Sequence, residues 1–106
     1  METKQDIERS KLIAPIVGHV GDGNFHLLLL VNHSDPEEVA RAQALHERMV
    51  MRALSMGGTC TGEHGIGCGK MNFLEAELGE AVNVMRSIKQ ALDPDNIMNP
   101  GKVIKV

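Results

Sequence analysis

The chain has no tryptophan, no tyrosine and only two phenylalanines, Phe25 and Phe73. Without aromatic rings there is no platform for stacked bases, and without a block of lysine or arginine there is no track for a phosphate backbone. Acids and bases are interspersed and the net charge is −3, so nucleic-acid binding is excluded on both counts. A long apolar run is also missing. The longest, Leu27 to Val31, is far short of the ~20 residues that cross a bilayer. Met1 to Arg9 is polar and acidic rather than a secretory leader, so the expected location is intracellular, in a bacterial cytoplasm or a mitochondrion. Cys60 and Cys68 are the only cysteines. Their lone spacing matches no strong zinc pattern, and both are read as reduced thiols. At 106 residues the expectation is a single domain over 1–106, with no room for a second, cofactor-binding one.

What is present reads as α+β. Leu12 to Val20 predicts a strand interrupted by Pro15, and Phe25 to Val31 a second strand whose continuous apolar run implies burial on both faces. Together they predict a small antiparallel sheet built on the 12–31 hairpin. Ser34-Asp35-Pro36-Glu37-Glu38 is a helix start: a capping side chain, proline in the first turn and acids at the positive end of the dipole. Val39, Ala42, Leu45, Met49, Ala53 and Met56 then recur at helical spacing, which predicts a helix over 35–56, stopped by Gly57-Gly58. A short helix over 70–78 with Leu74 and Leu78 inward follows. The next, over 79–92, carries Val82, Met85, Ile88 and Leu92 on one stripe and ends at Asp93-Pro94. The helices 35–56 and 79–92 are expected on one face of the sheet, with a further strand near 58–61 or at the C-terminus. Met49, Met56 and Met85 read as core filler, and Met98 as packing the tail.

Two constellations carry chemistry. In Gly18-His19-Val20-Gly21-Asp22-Gly23-Asn24-Phe25-His26, Asp22-Gly23 favours a two-residue type I′ turn, whose central positions both need positive φ. That register places His19 directly opposite His26, Cβ atoms roughly 4.5–5.5 Å apart. Imidazoles so placed can grip one metal ion with nitrogens ~2.0–2.1 Å from it, although two stacked surface histidines are the plainer alternative. In Thr59-Cys60-Thr61-Gly62-Glu63-His64-Gly65-Ile66-Gly67, glycines flank an adjacent carboxylate and imidazole. If extended, Glu63 and His64 point to opposite sides, so that one completes a metal shell while the other borders the open position. A solvated polar loop is the alternative there. His33 and His46 have no partner at useful spacing and are expected at the surface.

Three blocks in order, Gly18 to His26, Thr61 to Gly67, and Leu92-Asp93-Pro94 through Asn99-Pro100-Gly101-Lys102-Val103, make the chain resemble the C-terminal part of the FAD-linked oxidase family, flavoproteins of the vanillyl-alcohol-oxidase type. The likeness covers residues 13–104. It implies that His19, His26 and Glu63 hold a divalent metal, zinc or manganese, and that His64 is the active-site base. It also implies that Asn99 neighbours the flavin of an FAD bound mainly by an N-terminal domain absent from this chain. The wording around Cys60–Gly67 is most similar to members that oxidise D-lactate. Those acting on D-2-hydroxyglutarate or glycolate are the alternatives, and a cytochrome or flavoprotein is the implied electron acceptor. Members handling D-2-hydroxyglutarate carry Asn two residues beyond the second metal histidine, where Leu28 stands here.

On that resemblance the isolated chain is expected to be catalytically silent. A small zinc hydrolase and a stand-alone metal-binding or self-associating module are the rival readings, and an uncovered sheet edge predicts a homo-oligomer.

Overall fold

A computed structural model describes residues 1–106. The elements run α1 (Glu2–Ser10), β1 (Ile16–Val17), β2 (His26–Leu27), α2 (Pro36–Ser55), α3 (Met71–Leu78) and α4 (Ala81–Leu92). The class is α+β, with four helices and a two-stranded antiparallel sheet. Two compact units divide the chain, Met1–Ser55 and Met56–Val106.

The first unit is built on the hairpin. Ile16 pairs with Leu27 and Val17 with His26, and an isolated bridge joins Ile13 to Leu30 in the same register. The Leu28 and Leu30 N–H groups donate to the Pro15 and Ile13 carbonyls, each at 3.0 Å. Pro15 has no N–H to return, which is why the ladder is a bridge and a short strand rather than one strand over 12–20.

The register sorts the side chains by period two. Leu12, Leu27, Leu29 and Val31 pack with Ile7 of α1 and with Ala42 and Leu45 of α2. On the other face Ile13 is 70% exposed, Leu28 49% and Leu30 55%. The apolar run of the second strand is therefore covered on one side only in this unit, not on both as its composition implies.

The Asp35 side chain caps α2, accepting from the Glu37 and Glu38 N–H groups at 3.1 and 3.4 Å, with Pro36 in the first turn. Ala42 and Leu45 face the core as the spacing predicts, and Val50, outside the expected stripe, is buried as well. Met56 lies beyond the helix end and is 79% exposed, so it fills no core.

Helix α1 lies in a stretch read only as polar. Its buried Asp6 sits between two guanidiniums one turn apart on α2. Arg48 grips the carboxylate through Nε and Nη2 at 2.7–3.2 Å, and Arg52 Nη2 donates at 3.0 Å. The Arg48 hydrogen bond is the largest influence holding the Asp6 carboxyl below its usual range. An ionised, doubly paired carboxylate is what permits its burial.

In the second unit Leu74 of α3, Val82 of α4 and Ile104 of the tail form a cluster joined by Ile66 and Met85. Ile104 docks where the Val103 N–H donates to the Gly67 carbonyl at 2.6 Å. Gly79, at φ 56, separates the two helices as expected. The cluster ends at Met85, so Ile88 and Leu92, expected inward, are 55% and 79% exposed, and Leu78 is 37% exposed. No third strand forms at 58–61 or at the C-terminus.

Gly18 fixes how closely the two arms of the hairpin approach at its tip. A Cβ there would lie 2.5 Å from Phe25 Cα and 2.8 Å from the Asn24 carbonyl oxygen, and its φ is +151°. Both contacts are to backbone, which cannot swing aside. Gly18→Ala is expected to destabilise the first unit by on the order of 2–3 kcal/mol in urea unfolding. A variant within ~0.5 kcal/mol of the parent would show that the tip opens without cost.

Candidate functional site

His19 and His26 belong to the first unit; Glu63, His64 and Asn99 belong to the second. His26 stands on β2 opposite Val17, on the uncovered face with Leu28 and Leu30. Continuing that register sets His19 opposite Asn24, whose N–H donates to the His19 carbonyl at 3.2 Å. The expected type I′ turn, with His19 directly opposite His26, is not formed. That turn needs positive φ at both Asp22 and Gly23, and only Gly23 has it, at 73°. The chain instead closes through a short 3-10 turn over Val20–Asp22, with the Asp22 N–H bonded to the His19 carbonyl and the Gly23 N–H to the Val20 carbonyl, both at 2.9 Å. The slip is two residues, and His19 lies beyond the end of the ladder, at φ −98° and ψ 71°.

The second constellation lies on the segment leading into α3. Cys60 enters it buried, its N–H donating to Glu77 Oε1 at 2.7 Å. Burial first, and the Glu77 carboxylate second, push its thiol pKa up, and neither Cys60 nor Cys68 is in a disulfide. Glu63 and His64 are not extended: they are the central pair of a turn in which the Gly65 N–H reaches the Gly62 carbonyl at 3.4 Å. Gly65 and Gly67 both adopt positive φ, at 73° and 56°. In consequence the two side chains are neighbours, His64 Nε2 lying 3.8 Å from Glu63 Oε1, rather than on opposite sides.

Asn99 sits in the tail at φ 46, exposed, just after a knot around Asp93. The buried Asp93 carboxylate accepts from the Ile97 and Met98 N–H groups at 3.1 and 2.9 Å and from Lys89 Nζ, which also donates to the Met98 carbonyl at 2.5 Å. Met98 thus serves the tail through its backbone while its side chain is 64% exposed. Sequence reasoning took Asp93-Pro94 only as a helix stop. An Asp at a helix end before polar turn residues was the available sign of a side-chain-to-backbone cap.

Residues 1–103 match the family model for the C-terminal domain of FAD linked oxidases. The chain belongs to that family. Among relatives, a probable mitochondrial D-lactate dehydrogenase of Danio rerio is 51% identical over 107 residues, covering 100% of this chain and 22% of the relative. The mitochondrial D-lactate dehydrogenase [cytochrome] 1 of Saccharomyces cerevisiae is 56% identical, over 98% of this chain and 18% of its own. A glycolate oxidase subunit of Bacillus subtilis is 40% identical, over 81% of this chain and 18% of its own. The chain thus spans about a fifth of the length of the relatives it matches. No helix of this FAD-linked oxidase C-terminal domain is long and apolar enough to cross a membrane.

The Asp93 knot gives the domain a defined acid response. The Lys89 hydrogen bond, then the Met98 N–H, lower the Asp93 carboxyl pKa to about 2. A depressed carboxyl contributes stability that is present above its unfolded pKa of ~3.9 and lost as pH falls through the folded value. Amide protection at Ile97 and Met98 should therefore hold above pH ~4 and vanish towards pH ~2, whereas Asp93→Asn should lack it throughout. Protection in the parent that ignores this acid range would contradict the assignment.

Proposed function

We propose that this domain carries the metal- and proton-handling part of a flavin-dependent dehydrogenase of D-2-hydroxy acids, with D-lactate the foremost substrate and D-2-hydroxyglutarate and glycolate the alternatives. The observation that carries the reading is the glycine-bounded turn presenting the Glu63 carboxylate and the His64 imidazole side by side. The names of two similar relatives, both D-lactate dehydrogenases, support the substrate class. So does Leu28, apolar and next along the strand face from His26, where a dicarboxylate substrate would call for a polar group.

The residues fit the groups the family implies. His19 and His26 offer imidazole nitrogens and Glu63 offers carboxylate oxygen, a donor set suited to zinc or manganese. Asn99 offers a carboxamide able to donate to and accept from a flavin ring edge. When bound, the ion would supply positive charge at the hydroxy acid's oxygens and the flavin would take up the hydride.

The chain's own part is proton handling and orientation. Neutral His64 accepts the substrate hydroxyl proton, with the Glu63 carboxylate beside it to orient the ring. Leu28 lines the approach with an apolar surface that suits a short side chain. A cytochrome is the electron acceptor in keeping with the yeast relative's name, and the relatives' names and organisms support a mitochondrial or bacterial setting.

The chain spans about a fifth of the length of these relatives, so the activity is expected to need more chain than these residues supply. With FAD, D-lactate and an artificial electron dye, the 106-residue chain is expected to show no turnover above the blank. Adding the flavin-binding part of a relative in trans should restore it, and His64→Ala should abolish the restored rate. Turnover by the chain alone, or restored turnover indifferent to His64→Ala, would contradict the assignment.

A further inference from the structure

Thr61 and Lys70 have no part in the chemistry above, yet they close the turn on which it depends. The turn's own backbone bond, from the Gly65 N–H to the Gly62 carbonyl, is 3.4 Å long and correspondingly weak. A second closure lies beside it: the Thr61 hydroxyl donates to the Gly65 carbonyl at 2.7 Å. Lys70 Nζ donates to the same hydroxyl oxygen at 3.3 Å. An ammonium has only donors, so the hydroxyl accepts from Lys70 and is left with its single proton for Gly65. The chain of bonds therefore has one direction, from Lys70 through Thr61 to Gly65.

Lys70 is itself fixed. Its N–H donates to the Ile66 carbonyl at 3.3 Å, and its carbonyl accepts from Leu74 at 3.0 Å, at the start of α3. Glu77, farther along α3, holds the Cys60 N–H. One helix thus anchors the segment immediately before the turn and, through Thr61, the turn's far end.

We propose that Thr61 and Lys70 are positioning residues for Glu63 and His64, setting the orientation of the turn without touching substrate, metal or flavin. The inference rests on the reading of Glu63 as ligand and His64 as base. Thr61→Val removes the hydroxyl and keeps the side-chain shape. Gly65 is exposed, so water can take over its carbonyl. The loss should therefore fall on the order of the turn rather than on folding.

The test uses the 106-residue chain with zinc alone as probe. Thr61→Val is expected to weaken zinc binding about tenfold, as removing an outer-shell partner does. Nuclear magnetic relaxation should show faster motion at Gly62–Gly65 in the same variant, with the unfolding midpoint unchanged. Thr61→Ser should restore both readouts, and Lys70→Met should shift both in the direction of Thr61→Val. Parental affinity and parental order in Thr61→Val would overturn the proposal. If the parent binds no zinc, the metal assignment fails by itself and relaxation at Gly62–Gly65 decides. A turn loosened by valine and restored by serine then supports positioning, and an unchanged turn overturns it.

Discussion

Successive side chains of an extended strand point to opposite faces, so Glu63 and His64 lie side by side only because the backbone turns between them. Gly62 and Gly65 bound that turn, and Gly65 occupies the left-handed region that ordinary residues avoid. Everything chemical proposed for the domain depends on this local geometry. A carboxylate oxygen 3.8 Å from an imidazole nitrogen can orient that ring. The same two side chains on opposite faces could not act as a pair.

The surrounding structure is economical because each polar feature answers a specific demand of the backbone. Asp93 satisfies two N–H groups in the tail, Glu77 satisfies that of Cys60, and Asp35 satisfies the first turn of α2. Asp6 is the exception in kind, being a buried charge that joins two helices rather than a backbone cap. Its cost is offset only while both Arg48 and Arg52 are present. The hairpin is finished on one face by α1 and α2 and left apolar and open on the other. His26 stands on β2 on that second face, half-buried.

Much of this was legible in the residues, and the misses have physical causes. The cap at Asp35-Pro36, the stripe through Ala42 and Leu45, and the break at Gly79 are local signals that tertiary structure had no reason to override. The hairpin itself was visible, but its turn was not, because Asp-Gly fits either a two-residue turn or a four-residue loop that needs one left-handed glycine. Helix α1 has no apolar stripe to announce it: its one buried residue is a carboxylate, and Ile7 is its single apolar contact with the core. That burial becomes sensible only once Arg48 and Arg52, more than forty residues away, are brought to it. Ile88, Leu92 and Met56 kept helical spacing yet found no cover, since periodicity reports which face is apolar and not whether a partner exists. The adjacency of Glu63 and His64 was legible as chemistry, while its geometry awaited the dihedral angles of the flanking glycines.

The central claim is that imidazoles 19 and 26 and carboxylate 63 hold one cation beside His64. It is tested most directly by isothermal titration of the metal-stripped chain with zinc, and in parallel of His19→Ala, His26→Ala, Glu63→Ala and, as a control, His33→Ala. The account predicts a single tight ion in the parent, clear weakening in each of the first three variants, and parental behaviour in His33→Ala. Binding that survives all three substitutions, or a parent that binds nothing, would contradict it.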